Sequence, residues 1–322
     1  MAFWNDRRTR AILYQVAALG GVVLVGGILV SNTMDNLARQ NIATGFRFLT
    51  REAGFGISEH LVDYSPADTY LRALYVGLLN TLRIALAGIV VATLIGVVVG
   101  FARLSANVLV AKLASVYVEV MRNVPVLLHM FFWYAVVTQA FPSPNAAWEP
   151  MTGFFLSNRG IAIPWPGLGV PELSGFNFRC GAVLSPELSA LLIGLSTYTS
   201  GFIAETVRGG ILSVPKGQLE AARSMGLNGW QVLRFVTVPL ALRAIIPGTT
   251  NQYLNLAKNS ALAVAIGYPD FVSVANTTIN QTGQAIEGVA MIMAAYLTLS
   301  LLISAFMNWY NKHVALIGER AR

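Results

Sequence analysis

Residues 215–239 read PKGQLEAARSMGLNGWQVLRFVTVP and separate two long apolar runs. The polar stretch 218–225 predicts a short helix that lies outside the apolar environment, and Ala221 and Ala222 would give it a smooth face for close docking. Gly226 follows at the position where a glycine commonly ends a helix. We therefore expect a surface on which a partner protein acts.

The composition is that of a membrane protein. Charged residues make up 11% of the 322 residues and hydrophobic residues 55%, whereas about 25% of a soluble protein is charged. A net charge of +7 would suit nucleic acid if the basic residues formed one face, but they are scattered in short loops, so we expect no nucleic-acid partner. Cys180 is the only cysteine, which excludes an internal disulfide and a multi-cysteine metal site.

Six apolar runs are long enough to cross a bilayer, which needs roughly 20 residues: 11–30, 75–102, 124–141, 188–204, 244–267 and 288–311. Gly96 and Gly100 in the second run have a spacing that lets another helix approach closely. The amphipathic stretch 104–121 predicts a helix that enters the membrane obliquely, with a cytoplasmic helix or part of a seventh crossing as alternatives.

The basic residues predict the orientation, because cytoplasmic loops of membrane proteins are enriched in Lys and Arg. They precede the first run and follow the second, fourth and sixth, whereas residues 268–287 contain neither type. Both termini and the loop 215–239 are therefore expected in the cytoplasm. We divide the chain into an anchor with an external loop (1–74), a membrane domain (75–311) and a cytoplasmic tail (312–322). The external loop 142–186 reads as irregular and too short for a domain of its own.

The loop 215–239 resembles the EAA loop of bacterial ABC-importer permeases, in which a short helix docks into a groove on the ATPase subunit. Four further stretches resemble the polar amino-acid branch of that family: GLLNTL (77–82), YVEVMRNVP (117–125), AETVRGGI (204–211) and KNSAL (258–262). The long N-terminal region and the Pro- and Trp-rich loop 142–186 are similar to the larger permease of broad-specificity L-amino-acid importers.

The resemblance implies an all-α transmembrane domain of a type I ABC importer, with about six spans plus a cytoplasmic coupling helix. It implies a bacterial inner-membrane location, a second homologous permease subunit, a cytoplasmic ATPase dimer, a periplasmic amino-acid-binding protein and an L-amino acid as substrate. No cofactor is expected in this chain, since ATP and magnesium would be bound by the ATPase.

The docking candidates within the loop are Glu220, Ala221, Ala222, Arg223 and Gly226. The helix dipole alone favours an acid such as Glu220 near a helix start, so its charge need not touch the partner. Arg223 either contacts the ATPase or serves only as a topology determinant.

A polar stripe in the fifth run is the first candidate for the substrate pathway. Asn251, Asn255 and Asn259 recur every four residues and so share one helix face, with Lys258 beside them. Polar groups inside hydrocarbon are costly and face a bundle interior or a water-filled path. Two readings stay open: a pathway face, or hydrogen bonds between helices that hold the bundle together.

Thr197 and Glu205 share a face of the fourth run and are the second candidate. A zwitterionic substrate needs a cation or a helix N-terminus for its carboxylate and acceptors for its ammonium group, and Lys258 and Glu205 have suitable signs. Glu205 is also three residues from Arg208, and an ion pair between these two at the cytoplasmic edge is the favoured reading.

The sequence lacks the Gly-x-x-x-x-Gly-Lys-Ser/Thr loop of ATP-binding proteins and the protease and esterase motifs His-Glu-x-x-His and Gly-x-Ser-x-Gly. We therefore expect a subunit that is not itself an enzyme, and the resemblance implies transport by alternating access. An ion-gradient transporter is one alternative, but it would use buried carboxylates, of which the runs offer almost none. A membrane scaffold is the other, and it would not need the polar stripe.

Overall fold

The computed structural model describes residues 7–39 and 44–314. Most of these residues are helical. The α-helices are α1 Arg7–Arg39, α2 Tyr70–Ala102, α3 Val108–Asn123, α4 Val126–Ala135, α5 Pro186–Leu212, α6 Lys216–Ser224, α7 Gly229–Val232, α8 Val238–Asn259, α9 Phe271–Thr282 and α10 Ala285–Val314. Single π-helical turns extend α4 (Val136–Ala140) and join α7 to α8 (Leu233–Thr237), and a 3-10 helix, Ser260–Ile266, continues α8.

The helices agree with five of the six predicted spans, whereas the predicted span 124–141 is long enough only together with α3. Within the described residues, five are long and apolar enough to cross a membrane, and the bent pair α3–α4 makes a sixth if it is counted as one span. The fifth predicted span is longer than expected, because α7, its π turn, α8 and the 3-10 helix form one continuous stretch, Gly229–Ile266. Apart from residues 312–314, the predicted C-terminal tail lies outside the described residues.

Helices α2 and α5 form the centre of the bundle and pack closely through glycines of α2. A Cβ on Gly96 would lie 2.7 Å from the side chain of Ile203, and one on Gly100 would lie 2.9 Å from the carbonyl oxygen of Ala204. Real side chains do not approach so closely, so only glycine permits this helix separation. The predicted close approach at Gly96 and Gly100 is confirmed.

Helices α3 and α4 meet at a bend of 105°. Val124 has an extended backbone and precedes Pro125, and a residue before proline is disfavoured in the helical region. Tyr117 donates to or accepts from the Ser200 hydroxyl at 2.7 Å, and Met121, one turn later, still lies against Gly201. Over one turn of α3 the contact on α5 moves by only one residue, so α3 crosses α5 obliquely. The oblique entry of this helix into the membrane stays a prediction.

Helices α5 and α8 run antiparallel and form a hairpin with α6 at its tip. Gly210 of α5 lies against Ile245 of α8, and Gly248 of α8 lies against Thr206 of α5. These paired contacts place α6 at one end of the bundle, which we call the α6 end, together with the C-termini of α2 and α5.

The loop 142–186 is a small β structure, which corrects the expectation that it is irregular. Six short strands, β1 Trp148–Met151, β2 Phe154–Ser157, β3 Gly160–Ile163, β4 Glu172–Ser174, β5 Asn177–Arg179 and β6 Ala182–Leu184, are described there. They form an antiparallel sheet in the order β1-β2-β3-β6 and a separate β4-β5 hairpin. Strands of three or four residues are too short to show an alternating pattern in the sequence. We call this side of the bundle the sheet end.

An ion pair joins the segment before α2 to the helices at the sheet end. Glu59 accepts a hydrogen bond from Arg83 of α2 at 2.6 Å and one from the Ser185 hydroxyl at 2.7 Å. Ser185 is also the N-cap of α5, where its hydroxyl accepts a hydrogen bond from the Leu188 N–H. This end of α2 and α5 is thereby connected to the chain that precedes them.

Candidate functional site

Helix α6 is the short helix predicted in the loop 215–239. It begins at Lys216, two residues earlier than expected, directly after Pro215, which cannot donate a backbone hydrogen bond. Gly226 has a φ of +83°, in the left-handed region that favours glycine after a helix. Its N–H donates to the carbonyl of Arg223 at 2.9 Å. The prediction that Gly226 ends this helix is confirmed.

The structure divides the docking candidates between two faces of α6. Glu220, Ala221 and Arg223 are exposed, whereas Ala222 is 1% exposed. Neighbouring residues of an α-helix point about 100° apart, so Ala221 and Ala222 do not share a docking face. Ala222 instead packs inward and holds α6 close to the rest of the loop, which corrects its predicted place on the docking surface.

Two large apolar side chains beside α6 were missed by the sequence analysis. Met225 is 74% exposed and Trp230 is 67% exposed. Apolar side chains exposed in an otherwise polar loop mark an interaction surface. We define the α6 surface as Glu220, Ala221, Arg223, Met225 and Trp230. The sequence signal that could have indicated this surface was a tryptophan within a basic loop.

Hydrogen bonds and packing stabilise the connection from α6 to α8. Asn228 caps α7: its side chain accepts a hydrogen bond from the Gln231 N–H, and the Gln231 side chain accepts one from the Asn228 N–H, both at 2.9 Å. This reciprocal capping box satisfies two backbone donors at a helix start. Val232, one residue further, is buried. Helices α6 and α8 are therefore connected through a capped and packed joint.

The predicted polar stripe lies on the outer face of α8. Asn251, Asn255 and Lys258 are exposed and Asn259 is half-buried, while the neighbouring Leu256 is buried. Within residues 7–39 and 44–314, Lys258 forms no ion pair. The three asparagine side chains likewise make no hydrogen bond to another described residue. The stripe therefore does not hold this chain's own bundle together.

Lys258 lies near the middle of the bundle along its axis. Leu256 packs against Gly88 of α2, and Gly88 is 18 residues after Tyr70 and 14 before Ala102. At about 1.5 Å per residue, this level is about 27 Å from one end of α2 and about 21 Å from the other. An exposed ammonium group at this depth is costly in hydrocarbon and marks a polar or water-filled environment.

Thr197 lies at the level of Lys258, but Glu205 does not. Ser196, beside Thr197, donates a hydrogen bond to the Gly88 carbonyl at 3.5 Å. Glu205 is adjacent to Thr206, which contacts Gly248, ten residues before Lys258 on α8, or about 15 Å. The structure therefore separates Glu205 from Lys258, and the two do not form one zwitterion site in this chain.

Glu205 is instead the centre of an ion cluster at the α6 end. It accepts hydrogen bonds from Arg208 at 2.5 and 3.1 Å, which confirms the favoured ion pair. It also accepts one from Arg103, the C-cap residue of α2. Arg103 entered the sequence analysis only as part of the basic pattern that follows the second run; no sequence rule indicated that it meets Glu205.

Comparison with known proteins identifies the fold and the family. The model of the family described as "binding-protein-dependent transport system inner membrane component" matches residues 92–316. The chain belongs to this family. It is a permease subunit of an ABC importer, whose ATPase and substrate-binding protein are separate components. This membership decides against the ion-driven transporter and the scaffold.

Curated relatives match nearly the whole chain. The putative amino-acid ABC transporter permease protein YhdX of Escherichia coli is 45% identical, over 96% of this chain and 95% of the relative. The general L-amino acid transport system permease protein AapQ of Rhizobium johnstonii is 43% identical, over 97% and 94%.

Solved structures confirm the fold. An amino acid ABC transporter crystallised with histidines superposes with a TM-score of 0.57 at 24% identity, covering 76% of this chain and 95% of its own. The inward-facing methionine transporter MetNI has a TM-score of 0.56 at 19% identity, covering 76% and 98%. The type I importer transmembrane domain expected from the sequence is thus present.

Proposed function

We propose that this permease imports L-amino acids of broad side-chain type, and that Lys258 binds their α-carboxylate on the way through the membrane. One observation carries the proposal: an exposed ammonium group, without an ion-pair partner in the described chain, stands at mid-bundle on a face lined by asparagines. The names of the two permeases that are more than 40% identical support the substrate class.

The charges along the bundle favour recognition of the carboxylate. All amino acids share that group, and a lysine beside amide side chains binds it without contacting the variable side chain. Glu205 is paired with two arginines and lies about 15 Å from Lys258. Helix α5 therefore offers no acid near Lys258 to bind the substrate ammonium group. We propose that Asn251, Asn255 and Asn259 or the second homologous permease provide acceptors for it, with Thr197 at the same level.

We further propose how ATP hydrolysis acts on this site. The α6 surface docks on the cytoplasmic ATPase dimer, which binds the ATP and magnesium. The capped joint at Asn228 and the packed α5–α8 hairpin transmit its movement to the polar face of α8. A periplasmic amino-acid-binding protein delivers the substrate at the sheet end, and both termini lie on the cytoplasmic side of the inner membrane.

The decisive experiment measures amino-acid uptake into proteoliposomes that contain the complete transporter. We expect Lys258→Gln to reduce uptake about tenfold or more, because a hydrogen bond to a charged group contributes about 1.5–3 kcal/mol. Lys258→Arg should retain most uptake, since it keeps the charge. ATP hydrolysis without substrate should not change in either variant.

Lys112→Gln is the matched control, because Lys112 is exposed on α3 and lies away from the stripe. Uptake by Lys258→Gln equal to that of Lys112→Gln would refute the role of Lys258. Failure of the unaltered transporter to import any amino acid would refute the substrate class.

A further inference from the structure

A three-helix ion cluster at the α6 end is not used by the substrate path described above. The Arg103 guanidinium contacts the Glu205 carboxylate of α5, and its Nε donates to the Ser115 hydroxyl of α3 at 3.3 Å. Glu205 accepts from Arg208 as well. Arg103 therefore connects three helices. It is the C-cap residue of α2, and it binds one side chain of α3 and one of α5.

The cluster is more enclosed than an ordinary surface ion pair. The Arg103 side chain is 14% exposed and that of Glu205 is 30% exposed. One carboxylate receives two guanidinium groups, an arrangement with more geometric specificity than a single exposed pair. It holds the turn between α2 and α3 against α5.

The cluster lies close to α6, the helix on which we propose that the ATPase acts. Arg208 is four residues before the end of α5 at Leu212, and α6 begins at Lys216. The cluster thus lies within the last turns of α5, close to the start of α6. A movement of α6 would reach α5 near these contacts, which join α5 to α2 and α3.

Helix α3 depends on this contact more than α2 does. Helix α2 is held to α5 by the close glycine contacts at Gly96 and Gly100. Helix α3 crosses α5 obliquely, with Tyr117 and Met121 against Ser200 and Gly201. Without Arg103, α3 would still contact α5 around this crossing point, where Arg122 also stacks over Phe202, but it would lose its connection to Glu205.

We infer that Arg103 is a positioning residue for energy coupling: through Glu205 and Ser115 it makes α3 move with the α6 end of α5 during transport. The inference rests on the proposed function, because it requires that force enters at α6. Its consequence is specific. Loss of Arg103 should separate ATP hydrolysis from import without preventing assembly of the transporter.

The test compares the number of amino acids imported per ATP hydrolysed by the reconstituted complete transporter. For Arg103→Gln we expect assembly and basal hydrolysis as in the unaltered protein, with import per ATP lowered about fivefold or more. Glu205→Gln removes the contact with Arg103 and the pair with Arg208, so it should lower import per ATP at least as far. The double variant should be no worse than Glu205→Gln, since that variant already lacks the Arg103–Glu205 contact. Arg103→Lys should be intermediate.

Lys112→Gln is the matched control, because Lys112 belongs to α3, is exposed and does not join the cluster. Unchanged import per ATP in Arg103→Gln overturns the inference. Import and hydrolysis that fall together, with a lower melting temperature, would assign Arg103 a purely structural role and also overturn it.

Ser115→Ala gives an independent test if Arg103→Gln fails to assemble. It removes only the α3 arm, and an unchanged ratio of import to hydrolysis there would likewise refute the inference. Absence of amino-acid import by the unaltered transporter would instead contradict the proposed function.

Discussion

At the scale of single residues, the α6 region shows how backbone conformation and burial restrict the residue type at two neighbouring positions. Gly226 adopts a left-handed conformation, and no atom lies within 4 Å of the place where its Cβ would be. A larger residue is therefore opposed by its backbone conformation and not by a clash within this chain. Ala222, by contrast, is required to be small because it is buried.

The contrast yields a prediction for Gly226. A non-glycine residue in the left-handed region costs about 1–2 kcal/mol, and β-branched residues are among the least tolerant. We expect Gly226→Val to lower amino-acid uptake about fivefold or more, with unchanged amounts of the chain in the membrane. Gly226→Asn should retain most of the activity, since asparagine tolerates this conformation. Uptake by the Val variant at the unaltered level would contradict a role for this turn in coupling.

At the scale of elements, the α2–α5 pair is the structural centre of the molecule. Gly96 and Gly100 bring α2 within contact of the α5 backbone, so that the C-terminal parts of both helices pack closely together. The same approach allows Arg103 to reach Glu205, because the two helix ends are close. Close packing at the two glycines therefore makes the contact between Arg103 and Glu205 possible.

Replacement of Gly100 by leucine tests this link. Its side chain would meet Val207 and the Ala204 carbonyl, and overpacking of this kind costs about 1–3 kcal/mol. We expect Gly100→Leu to lower the melting temperature of the purified transporter. Gly20→Leu in α1 is the control, because nothing lies within 4 Å of that position. Equal melting temperatures for the two variants would show that close α2–α5 contact is not required for stability.

At the scale of the whole molecule, the two ends of the bundle carry different kinds of structure. The α6 end presents a short helix with exposed Arg223, Met225 and Trp230. The sheet end presents short antiparallel strands with Cys180 exposed beside them. Under the proposed orientation, the first meets the ATPase in the cytoplasm and the second faces the periplasm.

Cysteine labelling checks that orientation, since Cys180 is the only cysteine of the chain. A membrane-impermeant maleimide should label Cys180 in intact spheroplasts. In a Cys180→Ser background, Met225→Cys should be labelled only after the membrane is ruptured. The reverse pattern would show that the α6 end faces the periplasm and would exclude docking of a cytoplasmic ATPase there.

The sequence by itself determined five of the apolar helices long enough to span a membrane, the short helix α6 and its end at Gly226, the close approach at Gly96 and Gly100, and the polar stripe on α8. These features depend on local pattern: the length of apolar runs, the conformational freedom of glycine, and the four-residue period of a helix face. The pairing of Glu205 with Arg208 also belongs here, because residues three apart on a helix are neighbours.

Only the tertiary structure decided which of these residues meet. It placed Lys258 at mid-bundle with its face outward, separated it from Glu205, brought Arg103 to Glu205 from 102 residues away, and turned Ala222 inward. It also formed the sheet, whose strands are too short to show an alternating pattern in the sequence. Contacts between distant segments depend on how helices are packed and at what level they cross, and a pattern along the chain carries no information about that level.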